Sequence, residues 1–233
     1  MAIYHLRLKV ISRSLGRAAR LGGATRKSAI AAAAYRSGER LYDDSQGRWF
    51  QFDKPDVVHT EIIAPEGAPA WVFDRQALWN IVERAEKRQD AQLAREIELT
   101  LPRELSPQQR VDLVRRFVVD QFIAKGMVAD IGIHAPDAAD GGEQPHAHVM
   151  LSLRRLDAAT PTGFSATKER DWNETERIAR LVAEARKRFN DTGAPEDLEA
   201  LEAAEAQRNV NVWRREWAVY ANRALADSGS AAR

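Results

Sequence analysis

Residues 144–152 read QPHAHVMLS. A chain with only five histidines places two of them, His146 and His148, one residue apart at the head of an apolar run. Alternate side chains of a strand share a face, so the two imidazoles stand together, with Ala147, Val149 and Leu151 on the other side. The stretch MVADIGIHA, 127–135, alternates in the same way and sets Asp130, Gly132 and His134 on one face. If these strands pair as a hairpin across the polar, Gly-rich loop 135–145, His134 faces His146 and His148. Three neutral imidazoles converging from two strands form a metal site with open coordination positions. A lone HxH is as often a packed or solvated pair; the third histidine tips the balance toward a metal.

The pattern continues outward. Residues 2–10 alternate, with Tyr4, Leu6, Leu8 and Val10 against His5, Arg7 and Lys9. Residues 11–27 read as a basic, Ser- and Gly-containing loop. The segment KSAIAAAAYRSG predicts a helix capped by Ser28 and ended near Gly38. WFQF (49–52) and VVHTEIIAP (57–65) predict two strands around a turn at Asp53, Lys54 and Pro55. Asp74 caps a helix carrying Leu78, Ile81, Val82 and Ala85 at helical spacing. QLAREIELTLP alternates again, with Glu96, Glu98 and Thr100 opposite Ile97, Leu99 and Leu101. Ser106 and Pro107 start a further helix that ends at Gly126, and the last strand is predicted over 146–155. From about residue 168 the pattern is helical almost throughout. This order predicts an α+β fold, a largely antiparallel sheet with packing helices and a helical C-terminal region. The boundary is set at a core over 1–160 and a helical extension over 161–233. The ending DSGSAAR is turn-like and consistent with a chain cut from a longer protein.

Composition narrows the chemistry. There is no cysteine, which excludes disulfides, thiolate zinc sites and cysteine nucleophiles. No apolar run of about 18 residues and no export signal appear, so the reading is a cytoplasmic protein without membrane insertion. The net charge of +1 is unevenly spread. Residues 1–40 hold nine Lys or Arg against the single acid Glu39, a local balance of +8. Such asymmetry marks either a nucleic-acid-facing segment or a solvated basic arm.

Tyr35 has small helical neighbours, Ala31, Ala32 and Gly38, and sits beside Arg36. That setting leaves room for a substrate backbone, although a packed phenol explains it at least as well from this fact alone. Tyr42, seven residues on, reads as a packing or base-stacking residue.

Four ordered segments carry a resemblance: MAIYHLRLKVISRS, SAIAAAAYRSGERL, AQLAREIELTLP and HAPDAADGGEQPHAHVMLSLR. Together they resemble the MobA/MobL family of plasmid conjugative relaxases (MOB-Q type), closest to the relaxase domain that opens TraA-type transfer proteins. The resemblance covers nearly the whole chain, including WAVYANRALADSG. It implies an HUH-endonuclease fold and a DNA relaxase activity. A tyrosine nicks one strand at an origin of transfer, forms a 5′-phosphotyrosine adduct and later rejoins the ends. Residue by residue, Tyr35 matches the nucleophile, Glu96 an active-site glutamate, and His134, His146 and His148 the metal ligands. The expected cofactor is a divalent cation, manganese or magnesium, with zinc, nickel or cobalt as crystal substitutes. Glu96 is open at this point between a base and a residue that orients a ligand imidazole. The basic Arg13, Arg26, Lys27 and Arg36 are the expected DNA contacts. Expected partners are single-stranded or extruded origin DNA, relaxosome accessory proteins and a type IV secretion coupling protein, in a bacterial donor cell. One departure is AARLGGATRK, about residues 18–27, which looks like an insertion. Two other readings share parts of this logic: a replication-initiator HUH nuclease, and a non-enzymatic metal-stabilised DNA-binding module.

Overall fold

Alternation over the two histidine strands yields what it predicts, an antiparallel hairpin at the centre of a sheet. The computed structural model describes residues 5–13, 27–172 and 176–229. In chain order these form β1 (Leu6–Ser12), α1 (Ala29–Ser37), β2 (Leu41–Asp43), β3 (Arg48–Phe50) and β4 (Val57–Ile63). Then come α2 (Arg75–Ala85), β5 (Gln92–Thr100), α3 (Pro107–Gln121), β6 (Ala129–His134) and β7 (His146–Leu151). The helices α4 (Glu176–Thr192), α5 (Pro195–Ala206) and α6 (Asn209–Asp227) follow. Five strands make one antiparallel sheet in the order β1-β5-β7-β6-β4.

The caps are those the sequence predicts. Ser28 accepts from the Ala31 amide and Gly38 closes α1 in the left-handed conformation. Asp74 caps α2, and Ser106 with Gln109 forms a capping box on α3. Four expectations change. Helix α3 stops at Gln121, and Gly126 closes a separate 3-10 turn, Ile123–Lys125. The last strand ends at Leu151 rather than 155. The segment around 49–52 does not pair with 57–63; β3 pairs instead with β2, in a separate two-stranded sheet. Asp43 makes that possible, because its carboxylate accepts from the Ser45 and Gln46 amides and folds the chain back on itself. The helical region from 168 begins with a short 3-10 turn, Arg170–Trp172, and α4 starts only at Glu176.

The sheet has two different faces. Below it, Ile97, Leu99, Ile131, Ile133, Ala147 and Val149 meet α3 and α6 in one buried cluster containing Phe117, Trp213 and Trp217. The Phe117 and Trp217 rings cross edge to face at 5.1 Å. The C-terminal helix is thus part of the core beneath the sheet, while α4 and α5 share only a small cluster of their own. Above the sheet lie α1 and α2. Buried Asp130 fastens α2 there, accepting from Arg75 at 2.9–3.0 Å and from the Trp79 indole at 2.7 Å.

Trp217→Ala should lower stability by about 3–5 kcal/mol in urea denaturation, as expected for emptying a large buried ring site. A loss below about 1 kcal/mol would show that α6 is not part of the core.

Candidate metal centre and nucleophile

Register brings the three histidines together. His134 on β6 is directly opposite His146 on β7, and Gly132 is opposite His148. The ring centroids lie 4.9–5.3 Å apart, and one ligand atom from each residue falls within 4.8 Å of the others. Each Nδ1 has an oxygen partner. His134 meets Asp56 at 3.0 Å, His148 meets Glu96 at 2.7 Å, and His146 meets the Gln144 carbonyl at 2.9 Å. With Nδ1–H donated to those oxygens, the ε2 nitrogens of His146 and His148 are left for a cation, as in metal sites whose ligands are oriented from behind, while that of His134 lies against the Arg36 carbonyl.

Burial pushes His134 and His146 below the ordinary imidazole value, so both are neutral near pH 7. A neutral His134 can satisfy only one of its two oxygen neighbours, because Nε2 also lies 2.8 Å from the Arg36 carbonyl. When Nδ1–H serves Asp56, two lone pairs face each other at that contact. A cation on that nitrogen needs the Arg36 carbonyl turned aside; what suits a divalent metal is the cluster of three imidazoles with ligand atoms within 4.8 Å of one another.

Arg36 ties this centre to α1. Its guanidinium grips buried Glu96 with two parallel bonds, Nε to Oε1 at 2.7 Å and Nη2 to Oε2 at 2.6 Å. Burial would raise Glu96, but bonds from His148 and Arg36 prevail and hold it at about 2. A carboxylate so acidic, with both oxygens occupied, is a poor proton acceptor at neutral pH. The strand also makes room for the helix. A Cβ on Gly132 would lie 2.4 Å from the Arg36 carbonyl oxygen, so only glycine lets α1 approach β6 this closely.

Tyr35 sits in the last turn of α1, next to Arg36, with 44% of its surface exposed. Its helical neighbours are small, as read from the sequence, yet the ring is not isolated. Phe52 meets it edge-on at 5.5 Å and the Lys54 ammonium lies 4.6 Å over its face. Tyr42 packs against Trp49 in the β2–β3 hairpin.

The basic residues divide. Arg13 and Arg36, expected at the DNA surface, are turned into the protein. Arg13 is buried and donates to the Glu83 carboxylate and carbonyl and to the carbonyls of Glu86 and Arg88. Lys27 is exposed. Arg26 and the insertion-like stretch up to residue 26 lie outside the described residues. Glu98 also comes within 4.8 Å of Glu96 and His148, but it is paired with Lys9. A cavity of about 900 Å³ opens near Pro65, Trp71 and Gly163, at the end of β4 and β6 away from His134. None of the residues at the histidine centre lines it.

Asp56 and Gly132 complete the site without belonging to the histidine, glutamate or tyrosine motifs. Asp56 has no local signature, since it reaches His134 only through the β4–β6 pairing. Gly132 did carry a signal: a glycine inside a strand marks close backbone approach.

The description "MobA/MobL family" matches residues 27–233. The chain belongs to the MobA/MobL family. Among relatives, the conjugal transfer protein TraA of Agrobacterium fabrum is 38% identical over 72% of this chain and 15% of its own length. The mobilization protein MobL of Acidithiobacillus ferridurans is 44% identical over 58% of the chain and 33% of its own length. This MobA/MobL chain thus spans a minor part of those relatives. A structure solved for the molecular basis of vancomycin resistance transfer in Staphylococcus aureus is 26% identical, with a TM-score of 0.69. That match covers 100% of this chain and 97% of the other.

Two substitutions test how the centre is held. Gly132→Ala should cost about 1–3 kcal/mol, because α1 must lift or the strand must bend. Glu96→Gln should cost about 1–3 kcal/mol, because it leaves the half-buried Arg36 without its anion. Both are read by urea denaturation; wild-type midpoints would mean that α1 is not pinned where the bonds indicate.

Proposed function

We propose that this chain is the strand-nicking part of a conjugative relaxase, cutting one DNA strand at a plasmid origin of transfer. The observation that carries the reading is the position of Arg36. It follows Tyr35 in the chain, touches His134 through its carbonyl and holds, through Glu96, the ring of His148. The end of the helix that carries the exposed Tyr35 is thereby fixed against the imidazole cluster.

His134, His146 and His148 hold a divalent cation, manganese or magnesium, which when bound withdraws charge from a phosphate oxygen. Tyr35 Oη attacks the scissile phosphorus, forming a tyrosyl O–P bond as the P–O3′ bond breaks. The phenolic proton passes to solvent and the departing 3′ oxygen takes one up. One phosphodiester replaces another, so the step reverses without ATP. A free phenol ionises near pH 10, so the attack needs a nearby cation or base. Glu96 is the positioning residue here, orienting His148, and Asp56 does the same for His134.

The substrate is single-stranded or extruded origin DNA. The partners proposed with it are relaxosome accessory proteins and a secretion coupling protein, in the cytoplasm of a donor cell. Among the described residues no helix is long and apolar enough to cross a membrane.

Tyr35→Phe keeps the ring and removes the attacking oxygen. It should bind an oligonucleotide bearing the nick site as the parent does and form no covalent product. Mass spectrometry of the parent's peptides should find the adduct on Tyr35; an adduct on Tyr42 or Tyr4 would overturn the assignment. Chelation should abolish cleavage and change binding little, since phosphate and base contacts spread along the strand.

A further inference from the structure

A series of ring and cation contacts leads from the β2–β3 hairpin to Tyr35. Residues 48–54 read RWFQFDK, and alternate members share a side. The Phe50 and Phe52 rings are parallel within 8° at 6.5 Å, and Phe52 meets Tyr35. The Arg48 guanidinium lies 4.3 Å over Phe50, and Lys54 caps Tyr35. On the hairpin's other side Trp49 packs on Tyr42, with the Arg40 guanidinium 4.4 Å over its indole.

These rings are unusually open. Trp49 is 51% exposed, Tyr35 44% and Phe52 36%. Burial elsewhere in the molecule takes in Trp79, Trp172, Trp213 and Trp217, and partly Trp71, so Trp49 is the exposed one of six tryptophans. The cations beside them are available too. Neither Arg40 nor Arg48 is paired with a carboxylate among the described residues, and the buried Arg48 Nε has no hydrogen-bond partner there. Lys54 is partly engaged, at 3.2 Å from Asp56.

Flat apolar faces interleaved with free positive charge suit a ligand that is itself flat and anionic in alternation. We propose that this strip is the track on which the DNA strand approaches Tyr35, with bases stacked on Trp49 and Phe52 and phosphates taken by Arg40 and Arg48. The direction of the track rests on the reading of Tyr35 as nucleophile; the binding does not. The occupant is single-stranded, because paired bases keep their faces within the duplex stack and offer none to a protein ring.

The test is binding of the full chain to a labelled unpaired oligonucleotide and to a blunt duplex of equal length, followed by anisotropy and by tryptophan emission. The unpaired strand should change emission, and Trp49→Phe should remove most of that change. Trp49→Ala and Phe52→Ala should each weaken single-strand affinity at least about fivefold, while duplex affinity stays as in the parent. Arg40→Gln should make affinity less dependent on salt. Parent-like single-strand affinity in both alanine variants overturns the track. So does an emission change that follows protein concentration without DNA, which would assign the patch to a second copy. Phe52 touches Tyr35 but Trp49 does not, so weakened binding in Trp49→Ala cannot come from a displaced nucleophile. If Tyr35 forms no adduct yet these variants lose affinity, the track stands and the nicking reading falls; an adduct with undiminished affinity gives the reverse.

Discussion

Arg36 fastens the tyrosine helix to the histidine face through two groups at once. Its side chain closes a bidentate bond on Glu96, and its carbonyl oxygen lies against His134. Glu96 in turn holds His148. Charges this deeply buried are costly unless each is matched and hydrogen-bonded. The arrangement therefore tolerates little play: moving α1 would strand a carboxylate, a guanidinium and an imidazole together. Gly132 is the steric counterpart, because any side chain there would occupy the space of the helix carbonyl.

The other end of α1 is held by the same kind of device. Glu83 of α2 accepts from the Ala29 amide at 2.9 Å and from buried Arg13. A carboxylate at a helix N-terminus is favoured by the amide dipoles. The helix that carries Tyr35 is thus pinned at both ends by buried carboxylates from different elements. Between those pins its alanines allow close packing on the sheet: Ala33 and Ala34 are buried together with Leu78, Trp79 and Met150. Both faces of the sheet bury apolar clusters, α3 and α6 below and α1 and α2 above, and the polar groups of the site stand at the end of α1. One alternation thus serves site and core, since every residue that turns up to the site sets its neighbour down into the core.

Much of this was legible in the residues, and the reasons differ by element. Strand alternation and a third histidine at the head of the neighbouring strand were enough to place His134, His146 and His148 on one face. Capping chemistry marked α1, α2 and α3, because Ser28, Asp74 and Ser106 act within three residues of themselves. The errors came partly from contacts distant in sequence and partly from a turn that was not read. Nothing local says that Asp56 meets a histidine 78 positions later, whereas the 41–50 hairpin did carry a local signal, the Asp43 turn closed by Gly47. Charge counting also misled at Arg13 and Arg36, since it cannot separate an arginine that faces solvent from one that neutralises a buried carboxylate. Glu96 stood between two roles in the sequence; the bonds from Arg36 and His148 favour positioning over proton transfer.

Helix α1 and the histidine cluster are tied together by Arg36, which stands outside that cluster. Calorimetric titration of manganese into Arg36→Gln, with circular dichroism to confirm its helices, tests that link most directly. The account predicts affinity about 10- to 100-fold weaker than the parent's, as for loss of a group that orients ligands. A folded Arg36→Gln with the parent's manganese affinity would contradict it.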